Sequence, residues 1–207
     1  MNIGNMINTF LNNFQNPQGF WGKMVLWAMN KGHSSLSRWG MSHIKWQQDW
    51  EVLDIGCGGG ANLAQILRRC STGKVYGIDI SQASVDFAKK KNRKDLLTRC
   101  FIEQGTVNAL PHIENKFNVV TAFETIYFWN HLQQSFREVA RVLKKEGYFL
   151  ICCEMNDPQS KAWVNRIEGM TIYSGEELKK ILSESGFDSI TIHKHEKAIC
   201  IIARTQF

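Results

Sequence analysis

Val52-Leu53-Asp54-Ile55-Gly56-Cys57-Gly58-Gly59-Gly60 is an apolar run that ends in an acid and then in glycines. Farther on, a second apolar run, Val75-Tyr76-Gly77-Ile78-Asp79, closes on another acid. Between them Leu63, Ile66 and Leu67 recur at helical spacing. Apolar strand, glycine loop, helix, apolar strand and acid make one βαβ unit of the kind that holds a nucleoside. The glycines alone leave the nucleoside open. Gly56-Cys57-Gly58-Gly59-Gly60-Ala61 also satisfies the dinucleotide pattern, with Asp79 placed as a ribose-binding acid.

The discriminating residue is Asp54, two positions before the first glycine. A dinucleotide sets a doubly anionic pyrophosphate at this loop, against the positive end of the helix. A carboxylate there works against phosphates but favours a ligand that carries cations. In these residues the sequence resembles the class I S-adenosylmethionine (SAM)-dependent methyltransferases, whose first motif reads much like Leu53-Asp54-Ile55-Gly56-Cys57-Gly58-Gly59-Gly60. SAM has no phosphate and bears an ammonium and a sulfonium, so a methyltransferase is preferred over an NAD-dependent oxidoreductase.

The composition sets bounds. A chain of 207 residues fits one domain with a good core, and 43% hydrophobic and 21% charged residues are ordinary for a soluble globular protein. No apolar run is long enough to cross a bilayer, and the N-terminus lacks a basic start followed by an apolar core, so a cytoplasmic protein without a membrane partner is expected. Cys57, Cys70, Cys100, Cys152, Cys153 and Cys200 form no C-x-x-C pair or zinc spacing; they read as small hydrophobes, and no metal site is expected. Lysine and arginine exceed the acids by 25 to 19, a net charge of +6, with one tight run at Lys89-Lys90-Lys91-Asn92-Arg93-Lys94. At a helix end such cations favour the dipole and stay solvated; a patch that tracks phosphates is the alternative.

Composition shifts near Gln48. Residues 1–47 hold four of the seven tryptophans and read as short amphipathic helices broken by Pro17, Gly19, Gly22, Gly32 and Gly40. They form an expected helical cap or substrate lid on a domain of residues 48–207. From Trp50 strand and helix alternate, the pattern of a parallel sheet covered on both faces. Strands are expected near 50–55, 74–79, 101–103, 117–123 and 148–153, then an antiparallel pair at 188–194 and 198–204. Ser81 is placed to cap the second helix. The fourth strand's helix carries Leu132, Phe136, Val139, Ala140 and Leu143 and is expected to end at Gly147; the last has the capping box Ser174-x-x-Glu177 and stops at Gly186. The expected fold is α/β: a three-layer, Rossmann-like, seven-stranded, mostly parallel sheet, matching the sheet of the resembling family over about 48–207.

The resemblance implies roles for particular residues. Asp54 acts through the loop on the methionine end of SAM, with Gly56, Cys57 and Gly58 in close backbone approach; Asp79 accepts from the ribose hydroxyls and Ile80 lies against adenine. Gln104-Gly105-Thr106-Val107-Asn108-Ala109-Leu110-Pro111 resembles the third motif, with Thr106 where the family has aspartate, so its adenine contact lacks charge assistance. Phe123-Glu124-Thr125-Ile126-Tyr127-Phe128-Trp129 follows the fourth strand, the family's place for groups near the methyl sulfur. Phe123 backbone would contact the methionine moiety, Glu124 is a candidate base or orienting carboxylate, and Tyr127 or Trp129 could wall the pocket; aromatic packing is the equal alternative. His33 is a second candidate base, or a surface histidine.

The expected function is methyl transfer from SAM to a small, apolar or aromatic acceptor, leaving S-adenosylhomocysteine (SAH), by a monomer or homodimer. A SAM-binding protein without turnover is one alternative. A nucleic-acid methyltransferase is another, weakened because Phe-Glu-Thr, not an Asn/Asp-Pro-Pro-aromatic motif, follows the fourth strand.

Overall fold

The computed structural model describes residues 34–154, 156–158 and 169–205. A seven-stranded sheet carries helices on both faces. In chain order the elements are α1 (Ser34–Ser42), β1 (Glu51–Ile55), α2 (Ala61–Arg69), β2 (Lys74–Asp79), α3 (Gln82–Lys91), β3 (Cys100–Gln104), β4 (Phe117–Phe123), a short 3-10 turn (Ile126–Phe128), α4 (Leu132–Val142), β5 (Leu143–Cys153), α5 (Gly175–Ser183), β6 (Phe187–His195) and β7 (Ala198–Thr205). The strand order is β3-β2-β1-β4-β5-β7-β6. β1 to β5 pair in parallel, and β7 runs antiparallel to both β5 and β6. The expected Rossmann-like sheet and its closing antiparallel hairpin are present.

Apolar residues alternate between the two faces. Val52, Val75 and Val119 point into one cluster with Leu63, Ile66 and Leu67 of α2 and Val85 and Ala88 of α3. Leu53, Ile78 and Val120 point into the other with Phe136 and Val139 of α4 and Leu178 and Leu182 of α5. Each fully buried Leu, Ile or Val contributes about 1.5–3 kcal/mol, which is why both faces of a parallel sheet are covered. Local signals agree with this packing. Ser81 Oγ accepts from Ser84 N, and Ser174 and Glu177 complete their capping box.

Several boundaries differ from expectation, most of them by one residue. The α4 helix stops at Val142, and Leu143 is already extended, paired with Phe117 of β4. Gly147 therefore lies inside β5 and does not end the helix. The irregular start of β5 is held from outside: Glu146 has a left-handed backbone (φ +56°), and its carbonyl and carboxylate both accept from Arg204 of β7. That long-range clamp leaves no local signal. β3 extends one residue beyond its expected span at each end.

Most of the expected cap, residues 1–33, lies outside the described residues. Its described part packs against the sheet: Leu36, Met41 and Ile44 share the cluster of Val52 and Leu63. Close approach depends on Gly40, where an added Cβ would lie 2.1 Å from Cys152 Sγ on β5. Gly40→Ala is expected to cost about 1–3 kcal/mol of stability by overpacking, read from urea denaturation. Adding Cys152→Ala should recover part of that loss; strictly additive losses would show that this contact does not set the docking.

Candidate functional site

Because β1 lies between β2 and β4, the segments that follow these three strands converge at one end of the sheet. Asp54 of β1 is in register with Gly77 of β2 and Thr121 of β4. Its carboxylate is buried. Thr121 Oγ1 donates to Oδ1 at 2.7 Å, while Oδ2 has no hydrogen-bond partner among the described residues. None of the ion pairs among those residues involves Asp54. Burial pushes its pKa up to about 7; the Thr121 bond opposes the rise and the charge of Asp79 adds to it.

Asp79 closes β2. Gly58 N donates to its Oδ2 at 2.8 Å and Ser81 N to its Oδ1 at 2.9 Å, so the carboxylate ties the glycine loop to the tip of β2. Gly56 N and Cys57 N reinforce the tie by donating to Ile78 O at 2.8 and 3.1 Å. Burial raises the pKa of Asp79 and the two backbone bonds oppose the rise. Each carboxylate oxygen retains capacity for a further donor. Cys57 is buried, and burial together with the two aspartates holds its thiol well above its ordinary pKa.

The turn after β4 packs directly on this loop. Gly56 has φ +71°, and a Cβ there would fall 2.2 Å from Thr125 Oγ1, so a side chain is barred by both backbone and space. Next to Thr125, Glu124 also adopts a left-handed backbone (φ +57°), anchored by its N–H to Cys152 O at 2.9 Å. Its buried Oε1 accepts from Tyr127 Oη at 3.1 Å and from Glu154 N at 2.5 Å. Burial pushes Glu124 up to about 7, against the Glu154 and Tyr127 bonds.

Asp54, Gly56, Cys57, Gly58, Asp79, Ile80, Phe123, Glu124 and Tyr127 thus gather at the ends of three adjacent strands. Ile80 is 58% exposed, a large apolar side chain presented beside Asp79. Thr106 and Val107 follow β3 and are linked to the cluster by Gly105 N, which donates to Asp79 O at 3.0 Å. The Thr106 side chain is exposed and its hydroxyl accepts from Asn108 N at 3.4 Å, while Val107 is buried. Tyr127 and Trp129 are buried in the main core, and Phe123 turns its ring toward Gly40. His33 lies outside the described residues. Sequence reasoning missed Thr121 and Thr125. The available signal for Thr121 was a polar residue within the apolar run Phe117-Asn118-Val119-Val120-Thr121-Ala122-Phe123.

The family described as a methyltransferase domain matches residues 53–151. The phthiotriol/phenolphthiotriol dimycocerosates methyltransferase of Mycobacterium tuberculosis is 30% identical over 99 residues, 48% of this chain and 36% of that protein. A demethylmenaquinone methyltransferase of Halalkalibacterium halodurans is 30% identical over 128 residues, 61% of this chain and 51% of its own length. The chain therefore spans about a third to a half of these relatives. In structure it is similar to geranyl diphosphate C-methyltransferase from Streptomyces coelicolor, solved with SAH, at TM-score 0.72 and 18% identity over 83% of this chain and 76% of that one.

The raised pKa of Asp54 makes a signed prediction. Its native carboxyl stays protonated at pH values where the unfolded chain has released the proton. That contribution to stability is complete below the ordinary aspartate pKa and is lost as pH rises through about 7. Half-buried His112, lowered to about 4, acts in the opposite sense, so the informative quantity is a difference between variants. The melting temperature of Asp54→Asn relative to the parent is expected to rise between about pH 4 and pH 7 and to level off above. A pH-independent difference would contradict the assignment. Thr121→Val should cost about 1–3 kcal/mol by leaving the carboxyl without its donor, with Thr121→Ser close to the parent in the same denaturation assay.

Proposed function

We propose that this chain is a class I SAM-dependent methyltransferase, like the domain it matches over residues 53–151, and transfers a methyl group from SAM to a small-molecule acceptor at the tips of β1, β2 and β4. The observation that carries the proposal is the buried, cation-free carboxylate of Asp54 beside a glycine loop tied down by a second acid, Asp79. A cationic nucleoside suits two carboxylates that lack a cation among the described residues; an anionic pyrophosphate does not. The residues present therefore fit SAM. Asp54 would balance the charge of its methionine end, Asp79 would hold the ribose, and exposed Ile80 would lie against the base.

When bound, SAM supplies a methyl group already activated by its sulfonium. The chain's own task is to position the acceptor, exclude water and manage one proton. Positioning of this kind supplies roughly 7–11 kcal/mol, so no elaborate catalytic constellation is required. Glu124 would manage the proton. Its pKa of about 7 matches a general base working near neutrality, and the Tyr127 hydroxyl and Glu154 N–H hold Oε1 in one orientation. The acceptor class rests on the relatives, whose named substrates are phthiotriol dimycocerosates and demethylmenaquinone. Both point to a small acceptor with a large apolar part.

A thermal melt with SAH, SAM, NAD and NADP in separate wells tests the cofactor assignment. SAH and SAM near 100 times their dissociation constants should stabilise the native state by about 2.7 kcal/mol, and the nicotinamide nucleotides should leave it unchanged. A shift with NAD or NADP alone would overturn the proposal. Once labelled-methyl transfer into a metabolite extract has supplied an acceptor, Glu124→Gln should lower kcat by about 10²–10⁴-fold while SAH affinity stays at the parent value. An unchanged kcat would remove Glu124 from the chemistry.

A further inference from the structure

The segment from Lys89 to Arg99 carries six cations and one acid, while the whole chain has a net charge of only +6. Nearly all of the net positive charge is therefore gathered at one turn, between the end of α3 and the start of β3. The helix dipole accounts for cations in the last turn, Lys89, Lys90 and Lys91. It does not account for Arg93 and Lys94, which lie beyond the Asn92 cap. Lys90, Lys91, Arg93 and Lys94 are exposed, and none of the ion pairs among the described residues involves them. The one acid of the segment, Asp95, is already engaged by Arg99 at 2.5 Å. Exposed Arg68 adds a cation from the neighbouring helix end, which Arg99 ties to this turn by donating to Cys70 O at 3.1 Å and Ser71 O at 3.0 Å.

A second observation is independent of charge. Leu97 is 77% exposed and has a left-handed backbone, φ +62°. Glycine, asparagine or aspartate take that conformation at low cost; leucine does not. The turn around it is fixed. Cys100 N and Arg99 N both donate to Asp95 O at 2.9 Å, Leu97 N donates to Cys100 O at 2.8 Å, and Leu96 packs inward against the core. The backbone bonds of the turn thus hold an outward leucine among clustered cations.

We propose, against the expectation of no membrane partner drawn from the absence of a spanning segment, that the Lys89–Arg99 turn is a docking surface for an anionic lipid bilayer, its cations meeting the headgroup phosphates and Leu97 entering the acyl boundary. A polybasic cluster with an adjacent apolar side chain is the arrangement that binds such a leaflet. A nucleic acid would be served by the same cations, but stacking platforms interleaved with them are its usual complement, and the turn has no aromatic residue. The surface stands at the opposite end of α3 from Ser81, about 15 Å of helix away from Asp79. Docking there leaves the candidate site clear of the bilayer face it uses, and it does not depend on the proposed methyl transfer.

Co-sedimentation of the full chain with vesicles of phosphatidylcholine alone, or with phosphatidylglycerol added, tests the proposal. Binding is expected only to the anionic vesicles and should weaken as salt is raised. Replacing Lys90, Lys91, Arg93 and Lys94 together by glutamine should lower partitioning by at least about tenfold. Leu97→Asn, which relieves the left-handed backbone and so leaves the fold intact, should lower it several-fold at constant salt. Equal partitioning to both vesicle types, or a glutamine variant that binds like the parent, would overturn the proposal. So would binding to an RNA or DNA oligonucleotide that depends on the four cations, together with vesicle binding unaffected by Leu97→Asn; a nucleic-acid surface would then replace it.

Discussion

Two carboxylates buried at adjacent strand tips, with no cation paired to them among the described residues, govern this structure. Asp79 spends its oxygens on the N–H groups of Gly58 and Ser81 and so fixes the loop that follows β1. Asp54 has one oxygen on Thr121 and one on nothing described. Burying a charge without a partner is expensive, and the group lessens the cost by holding its proton, as the pKa near 7 expresses. The unliganded fold thus carries a latent negative charge that a cationic ligand would stabilise.

The sheet makes this arrangement affordable. Parallel pairing of β1 with both β2 and β4 places Thr121 opposite Asp54 and brings Thr125 onto Gly56. The apolar faces of α2 to α5 bury the strands on both sides, so the tips are held by a packed core. Glu124 repeats the theme just after β4: a left-handed backbone turns a carboxylate inward, where two donors fix it and burial raises its pKa.

Much of this was legible in the sequence because it is local. The Leu53-to-Gly60 stretch, the run ending at Asp79, the Ser81 cap and the Ser174/Glu177 capping box each announce themselves within a few residues. What could not be read depends on neighbours distant in the chain. The early end of α4 reflects the pairing of Leu143 with Phe117 and the grip of Arg204 on Glu146. The role of Thr121 requires its register with Asp54, 67 residues away. Trp129 read as pocket wall or packing with equal justice; it is buried and donates its indole N–H to Thr125 Oγ1 at 3.3 Å, a contact no periodicity encodes.

The most direct test of the latent charge is the number of protons released when ligand binds. Calorimetric titration of the full chain with SAM near about pH 6, one unit below the raised pKa of Asp54, in buffers of different ionisation enthalpy, yields that number. Release approaching one proton is predicted, with Asp54→Asn abolishing it while retaining measurable binding. A binding enthalpy independent of buffer in the parent protein would contradict the idea that a buried, protonated Asp54 ionises to receive a cationic nucleoside.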